Sequence, residues 1–179
     1  MYFRFAFLAL VNVAFTVLAW GLSPLVALFV RSDGYLPYWL LWFQTQDAPI
    51  DAGWRDGYFG TYKTDGVRPT GWRLYWYRVC WLCRNPAYGF CYWPLGLPYN
   101  PDDWVIHARH VEGTDLRFLA AITKDGKHFC YYDADTGEKF GYKLYWATDD
   151  AGNLMPKMDP GRGPDNRLPF CFTPRIEWD

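Results

Sequence analysis

The chain has 179 residues and a formal net charge of −1, with no long run of like charge. That balance leaves no electrostatic footprint for nonspecific nucleic-acid binding. Aromatic residues are the compositional outlier at 21%, with 11 Trp, and the five cysteines form an odd, scattered set that fits a reducing compartment better than a disulfide framework.

From Phe5 to Val30 the chain carries no charged side chain, with Arg4 before the run and Arg31 after it. Such a run is long enough to cross a hydrocarbon core of roughly 30 Å. Two other readings compete. A cleaved signal peptide has a shorter apolar stretch and a small-residue cleavage site, and neither fits well here. A core helix of a soluble domain rarely runs this far without a polar face. Asn12 and Thr16, four apart, share one helical face and suit either self-association or local bonding to the backbone. Pro24 removes a backbone donor and is expected to kink or end the straight part of the helix. The flanking arginines do not distinguish the two sides of a bilayer, so orientation rests on the cysteines, which favour a cytoplasmic C-terminal domain.

Tyr35 to Phe43, YLPYWLLWF, is too short to span. Tyr35, Tyr38, Trp39 and Trp42 suit the headgroup zone, where one ring edge is wet. The competing reading buries them in a core. From Gln44 to Gly71 the Asp, Gly and Pro spacing reads as loop. Trp72 to Arg84 is a candidate helix, with Thr70 as its cap and Asn85-Pro86 as its stop. Arg73, Tyr77 and Arg84 project towards a similar side, which suits a membrane surface; ordinary packing of the aromatics onto a sheet is the alternative. Around its end, Arg78, Trp81, Arg84, Asn85 and Tyr88 form a candidate contact patch, because Trp, Tyr and Arg dominate binding hot spots. Arg84 bonding the terminal carbonyls of the helix is the simpler role.

From Trp104 the pattern changes to short strands and tight turns: 104–111, 116–123, 128–133, 139–148 and 168–178. Asp125-Gly126 between two apolar runs is a hairpin signal. Pro156 to Arg167 reads as a long surface loop. The expected fold is α+β: an apolar helix over 1–31, an interfacial and loop segment over 32–71, and a domain over 72–179 built from an antiparallel meander with an aromatic-rich helix.

Reactive constellations are sparse. Cys80-x-x-Cys83 and His107-x-x-His110 have metal-ligand spacings, but on a strand the two histidines point to opposite faces. His128 and Cys130 share a face, yet large aromatics surround them. The only serines are Ser23 and Ser32, at the apolar end. The acidic turn Asp133 to Glu138 lacks the later bidentate Glu of a calcium loop. No phosphate-binding glycine loop follows a strand. The expectation is a protein that binds and does not catalyse, with no cofactor, metal or nucleic acid.

Four stretches carry a resemblance: Trp42 to Asp47, Arg78 to Phe90, Gly141 to Leu144, and Pro169 to Arg175. Together they resemble a family of uncharacterised tailed-bacteriophage proteins. The likeness covers most of the chain, and Arg84-Asn85-Pro86-Ala87-Tyr88-Gly89-Phe90 is its most specific part. It implies a phage or prophage gene and a bacterial host, and no activity. Cys80 and Cys83 stand where that likeness leads us to expect aliphatic residues. The expected role is a phage-encoded accessory protein in the host inner membrane, with the bilayer and an unidentified protein as partners. The alternative is a virion component whose apolar helix packs in the particle, as an oligomer or assembly, or enters the host membrane.

Overall fold

The computed structural model describes residues 1–44, 49–50, 69–112, 115–144, 147–148, 154–155 and 167–173. The chain folds as two units, Met1–Asn12 with Cys91–Asp179, and Val13–Phe90. Helix α1, Tyr2–Ala27, contributes its first turns to one unit and its remainder to the other.

The unit Val13–Phe90 is helical. Pro24 lies inside α1, which continues for three residues past it rather than ending there. The helix stops before the expected Val30. The amides of Leu28, Phe29 and Val30 turn to carbonyls three residues back, which tightens the last turn. Tyr38–Phe43 then forms a 3-10 helix. Helix α2, Gly71–Arg84, lies where the aromatic pattern placed it. Val26, Ala27, Leu36, Leu40, Val79 and Trp81 share one buried cluster. Three side-chain-to-backbone bonds join α2 to the first helix and its exit. Trp20 Nε1 donates to the Cys83 carbonyl at 2.9 Å, the Tyr75 hydroxyl to Pro24 at 2.9 Å, and Arg78 to Val30 at 3.2 Å. Gln44 is buried, and its Oε1 accepts from the Leu36 amide at 2.7 Å, so the turn between them leaves no orphaned polar group there.

Two details of α2 differ from the sequence expectation. Thr70 has the extended backbone of a cap but its side chain makes no capping bond. Tyr77 is buried, so it does not share an exposed side with Arg73 and Arg84; the outward ring surface belongs to Trp72 and Trp76 instead. Asn85 ends the helix by sending both its backbone amide and Nδ2 to the Trp81 carbonyl, at 3.0 and 3.2 Å. Helix α3, Tyr88–Tyr92, follows at once.

The other unit is built on an antiparallel sheet, as the strand pattern led us to expect. Two short strands flank it, β1 (Leu97–Pro98) and β8 (Arg167–Leu168), which pair with each other. The main sheet contains β2 (Trp104–Glu112), β3 (Asp115–Thr123), β4 (Phe129–Asp133), β5 (Lys139–Tyr142) and β9 (Phe170–Thr173), in the order β2-β3-β4-β5-β9. The expected strand over 139–148 ends at Tyr142. Ala147–Thr148 is a separate strand, β6, paired with β7 (Leu154–Met155). Pro169 splits the last predicted strand into β8 and β9, because it has no amide for a ladder. Arg167 is no loop residue. Its guanidinium donates to the carbonyls of Tyr92, Trp93 and Gly96, at 3.0, 3.2 and 2.6 Å, and so gathers the chain after α3. The remainder of the expected loop, 156–166, lies outside the described residues, as do the loop residues 45–48 and 51–68.

The sheet has two unlike faces. Cross-strand partners share a face. Leu119, Ala121, Cys130 and Cys171 occupy the buried one, while Ala120, Tyr131, Phe140 and Phe172 lie along the other. The start of α1 rests on that second, aromatic face through Phe5. Its ring stands 5.0 Å from Phe129, 5.6 Å from Phe170 and 6.0 Å from Phe172.

Candidate functional site

Helix α1 is apolar on both sides. At 100° per residue, Phe5, Leu8, Ala9, Asn12, Phe15, Ala19, Ser23 and Val26 make one stripe, and each is buried or half-buried. Phe15 stacks on Phe90 with ring centroids 3.9 Å apart. The Asn12 side chain meets a residue of α3: its oxygen accepts from the Cys91 thiol at 3.3 Å. The opposite stripe is Phe3, Phe7, Leu10, Val17 and Leu25, all exposed, with Phe3 at 88%. The helix is long and apolar enough to cross a membrane by length and composition.

Aromatic side chains of the proposed interfacial segment are split. Tyr38, Trp39 and Trp42 are exposed and Tyr35 is half-buried, while Leu36 and Leu40 between them enter the core. A 3-10 turn separates them, since residues three apart lie on one side. Exposed Trp72 and Trp76 stack at 6.5 Å on α2.

The contact patch read around the end of α2 is brought together only in part. Trp81 is 4% exposed and belongs to the core, because α2 turns that position inwards beside Leu82. Arg78 is half-buried and committed to the Val30 and Arg31 carbonyls. Arg84 is exposed, with Asn85 and Tyr88 half-buried. Asn85 does the carbonyl bonding expected of Arg84. The turn within Arg84 to Phe90 is constrained by its backbone. Buried Ala87 adopts φ 55°, and Gly89 lies so close to the Leu41 and Gln44 carbonyls that a Cβ there would collide with both.

All five cysteines are free thiols. Burial pushes Cys91 and Cys130 up to about 12, so neither is a thiolate nucleophile at neutral pH. Among the described residues no group of three or more His, Cys, Asp or Glu is placed to hold a metal ion. One premise of the sequence reading changes. Strict alternation set His107 and His110 on opposite faces. The register between β2 and β3 shifts between Ile106 and Ala108, making His107 a bulge residue. His107 then lines the aromatic face, and His110 pairs with Phe118, whose ring meets Tyr131 on that same face. The acidic turn is a solvated hairpin: the Asp133 carboxylate accepts from the amides of Asp135 and Thr136.

A groove of about 590 Å³ opens on the aromatic face, a size typical of small-molecule sites. Met1, Tyr2 and Phe5 wall one side. Ala120, Phe129, Tyr131 and Phe140 contribute from the sheet, with His107 and Glu138 among its ionisable members. A smaller cleft shares Met1, Phe5 and Phe129 with it and adds Arg4, Lys127 and His128. His128 has its pKa lowered, by burial first and by Arg4 second, which places positive charge beside that cleft. Lys127 also pairs with Asp125 at 3.1 Å. Sequence reasoning missed this groove. The signal was the alanine pair at 120–121, small side chains in the middle of a strand otherwise rich in large ones.

The match that places the chain covers residues 1–174. The chain belongs to a family of unknown function, DUF7338. Its family match includes α1, the groove and the Arg84 to Phe90 turn alike. No curated protein and no solved structure matches the chain.

Proposed function

We propose that this member of DUF7338 is a non-enzymatic, membrane-attached binding protein, held to a bilayer by the exposed stripe of α1. The single observation behind it is that stripe: an uncharged helical face whose apolar side chains are exposed among the described residues. Contiguous apolar surface of this kind marks membrane or protein contact. Exposed Tyr38, Trp39, Trp42 and Trp72 add the amphipathic rings favoured at headgroup depth. The resemblance to tailed-bacteriophage proteins supports a host inner membrane as the site of action, with an accessory role exerted by binding a host or phage protein. The free cysteines support a reducing, cytoplasmic setting for the sheet. Fractionation of producing cells tests this reading. The expected result is recovery in the membrane pellet after carbonate washing. Recovery in the soluble fraction overturns it, and recovery only in purified particles replaces it with a virion role.

A further inference from the structure

The groove on the aromatic sheet face has a lining that restricts what it can hold. The backbone amides and carbonyls of β4 are taken up by pairing with β3 on one side and β5 on the other. A peptide laid in the groove would find no ladder to join, and its own polar groups would go unpaired. The floor and walls are ring faces, alanine and Phe5. A hydrocarbon chain loses nothing there, since it brings no group that needs a partner. Small Ala120 sits in the space that a larger residue would fill.

The two ends of the groove differ in charge. Lys127, which also pairs with Asp125, and His128 precede β4, and Arg4 immediately precedes Phe5 on α1. Glu138 precedes β5 at the opposite end, where the Asp133 amide bonds its carbonyl. An acidic group is therefore attracted at the β4 entry and repelled at the Glu138 end. The length along β4 between these ends is about 16 Å at the usual strand rise.

We propose that this groove binds the hydrocarbon chain of an anionic amphiphile, with its acidic end facing Arg4, Lys127 and His128. The chemistry is shared by a free fatty acid and by one chain of an acidic phospholipid. The inference rests on the membrane reading, because a bilayer supplies such molecules and α1 carries both surfaces. Its exposed stripe, with Phe3 and Phe7, meets bulk lipid, and Phe5 on its other side walls the groove.

Photolabelling of the full chain in phosphatidylcholine vesicles separates these surfaces. Three probes carry the same diazirine chain: a fatty acid, the corresponding alcohol, and phosphatidylglycerol. Labelled peptides are mapped by mass spectrometry. The acid is expected to label the peptides holding Phe129, Tyr131 and Phe140, as well as α1. Ala120→Trp fills the groove and removes the sheet labelling while α1 labelling stays. Arg4→Gln with Lys127→Gln lowers sheet labelling by the acid about two- to tenfold, the range for one or two partly exposed charge contacts, and leaves labelling by the alcohol unchanged. Whichever of the acid and phosphatidylglycerol labels the sheet more strongly identifies the source. Labelling of α1 without the sheet overturns the groove and leaves the membrane reading standing; labelling of neither removes both. If Ala120→Trp does not fold, the charge variant decides, and equal loss or no loss for acid and alcohol overturns the proposal.

Discussion

Gly141 is held by what stands next to its α-carbon. Its φ is +86°, and a Cβ would run into the Phe129 carbonyl of the neighbouring strand. Gly141→Ala is therefore expected to lose about 1–3 kcal/mol from backbone strain alone. The urea midpoint should fall with the slope unchanged, and an unaltered midpoint would show that the strand relaxes around the methyl group. Acid sensitivity is set by two other residues of the same unit. Asp125 accepts from the Thr123 hydroxyl at 2.6 Å and the Lys127 amide at 3.0 Å, which hold its carboxyl well below the usual range. A lowered carboxylate pKa gives stability that is present above about pH 4 and lost as pH falls below it. His128 is lowered by burial, so the unfolded chain takes up its proton first, and stability declines as pH drops below about 6.5. Thermal melts should decline in both windows, and Asp125→Asn should remove only the more acidic one. A flat profile from pH 7 to 3 contradicts both assignments.

Helix α2 shows what a pattern can and cannot reveal about an element. Its span was legible because Asn85-Pro86 stops a helix and the thirteen residues before it hold no other breaker. Which aromatic faces inwards was not legible. Ten of the fourteen α2 positions are Trp, Tyr, Leu, Val or Cys, so Arg73 and Arg84 mark one side without saying which of the rings lie beside them. Tyr77 and Trp81 turned inwards, and Trp72 and Trp76 outwards, by the packing of α1 and the Tyr38–Phe43 turn against them. The contact patch failed at Trp81 for that reason. Truncation tests the assignment. Trp81→Ala should cost about 3–5 kcal/mol, while Trp72→Ala, at 75% exposed, should stay within about 0.5 kcal/mol. Similar losses for both would mean that Trp72 is covered in the folded protein. The strands were legible through turn chemistry, most clearly at Asp125-Gly126, where Gly126 takes φ +68°. The bulge at His107 was not, since nothing in Ile106-His107-Ala108 differs from an ordinary strand.

For the molecule as a whole, the apolar start was the plainest feature of the sequence, and its two-sided use the least visible. Composition cannot tell a face that packs on protein from one that meets lipid when both are hydrocarbon. Leu10 separates them, because it is 70% exposed among the described residues. Leu10→Arg should leave the melting temperature unchanged. In a bilayer the same charge costs about 2.5–3.5 kcal/mol at mid-depth. The variant should therefore move into the carbonate-soluble fraction. A variant that pellets like the parent would take Leu10 out of any lipid contact.

The rings that receive Phe5 also impose an order in time. Phe170 and Phe172 emerge from the ribosome roughly 165 residues after Phe5, which at about 5–20 residues per second is roughly 8 to 30 seconds. Throughout that interval the Phe5 end of α1 lacks two of the rings that cover it. On the membrane reading, a nascent chain in this state is a better client for the membrane-insertion machinery than the finished protein, and β9 is the described strand that completes the cover over Phe5. On the membrane reading, delivery to the bilayer belongs to synthesis, and a refolded, full-length chain should reach vesicles more slowly than one translated in their presence.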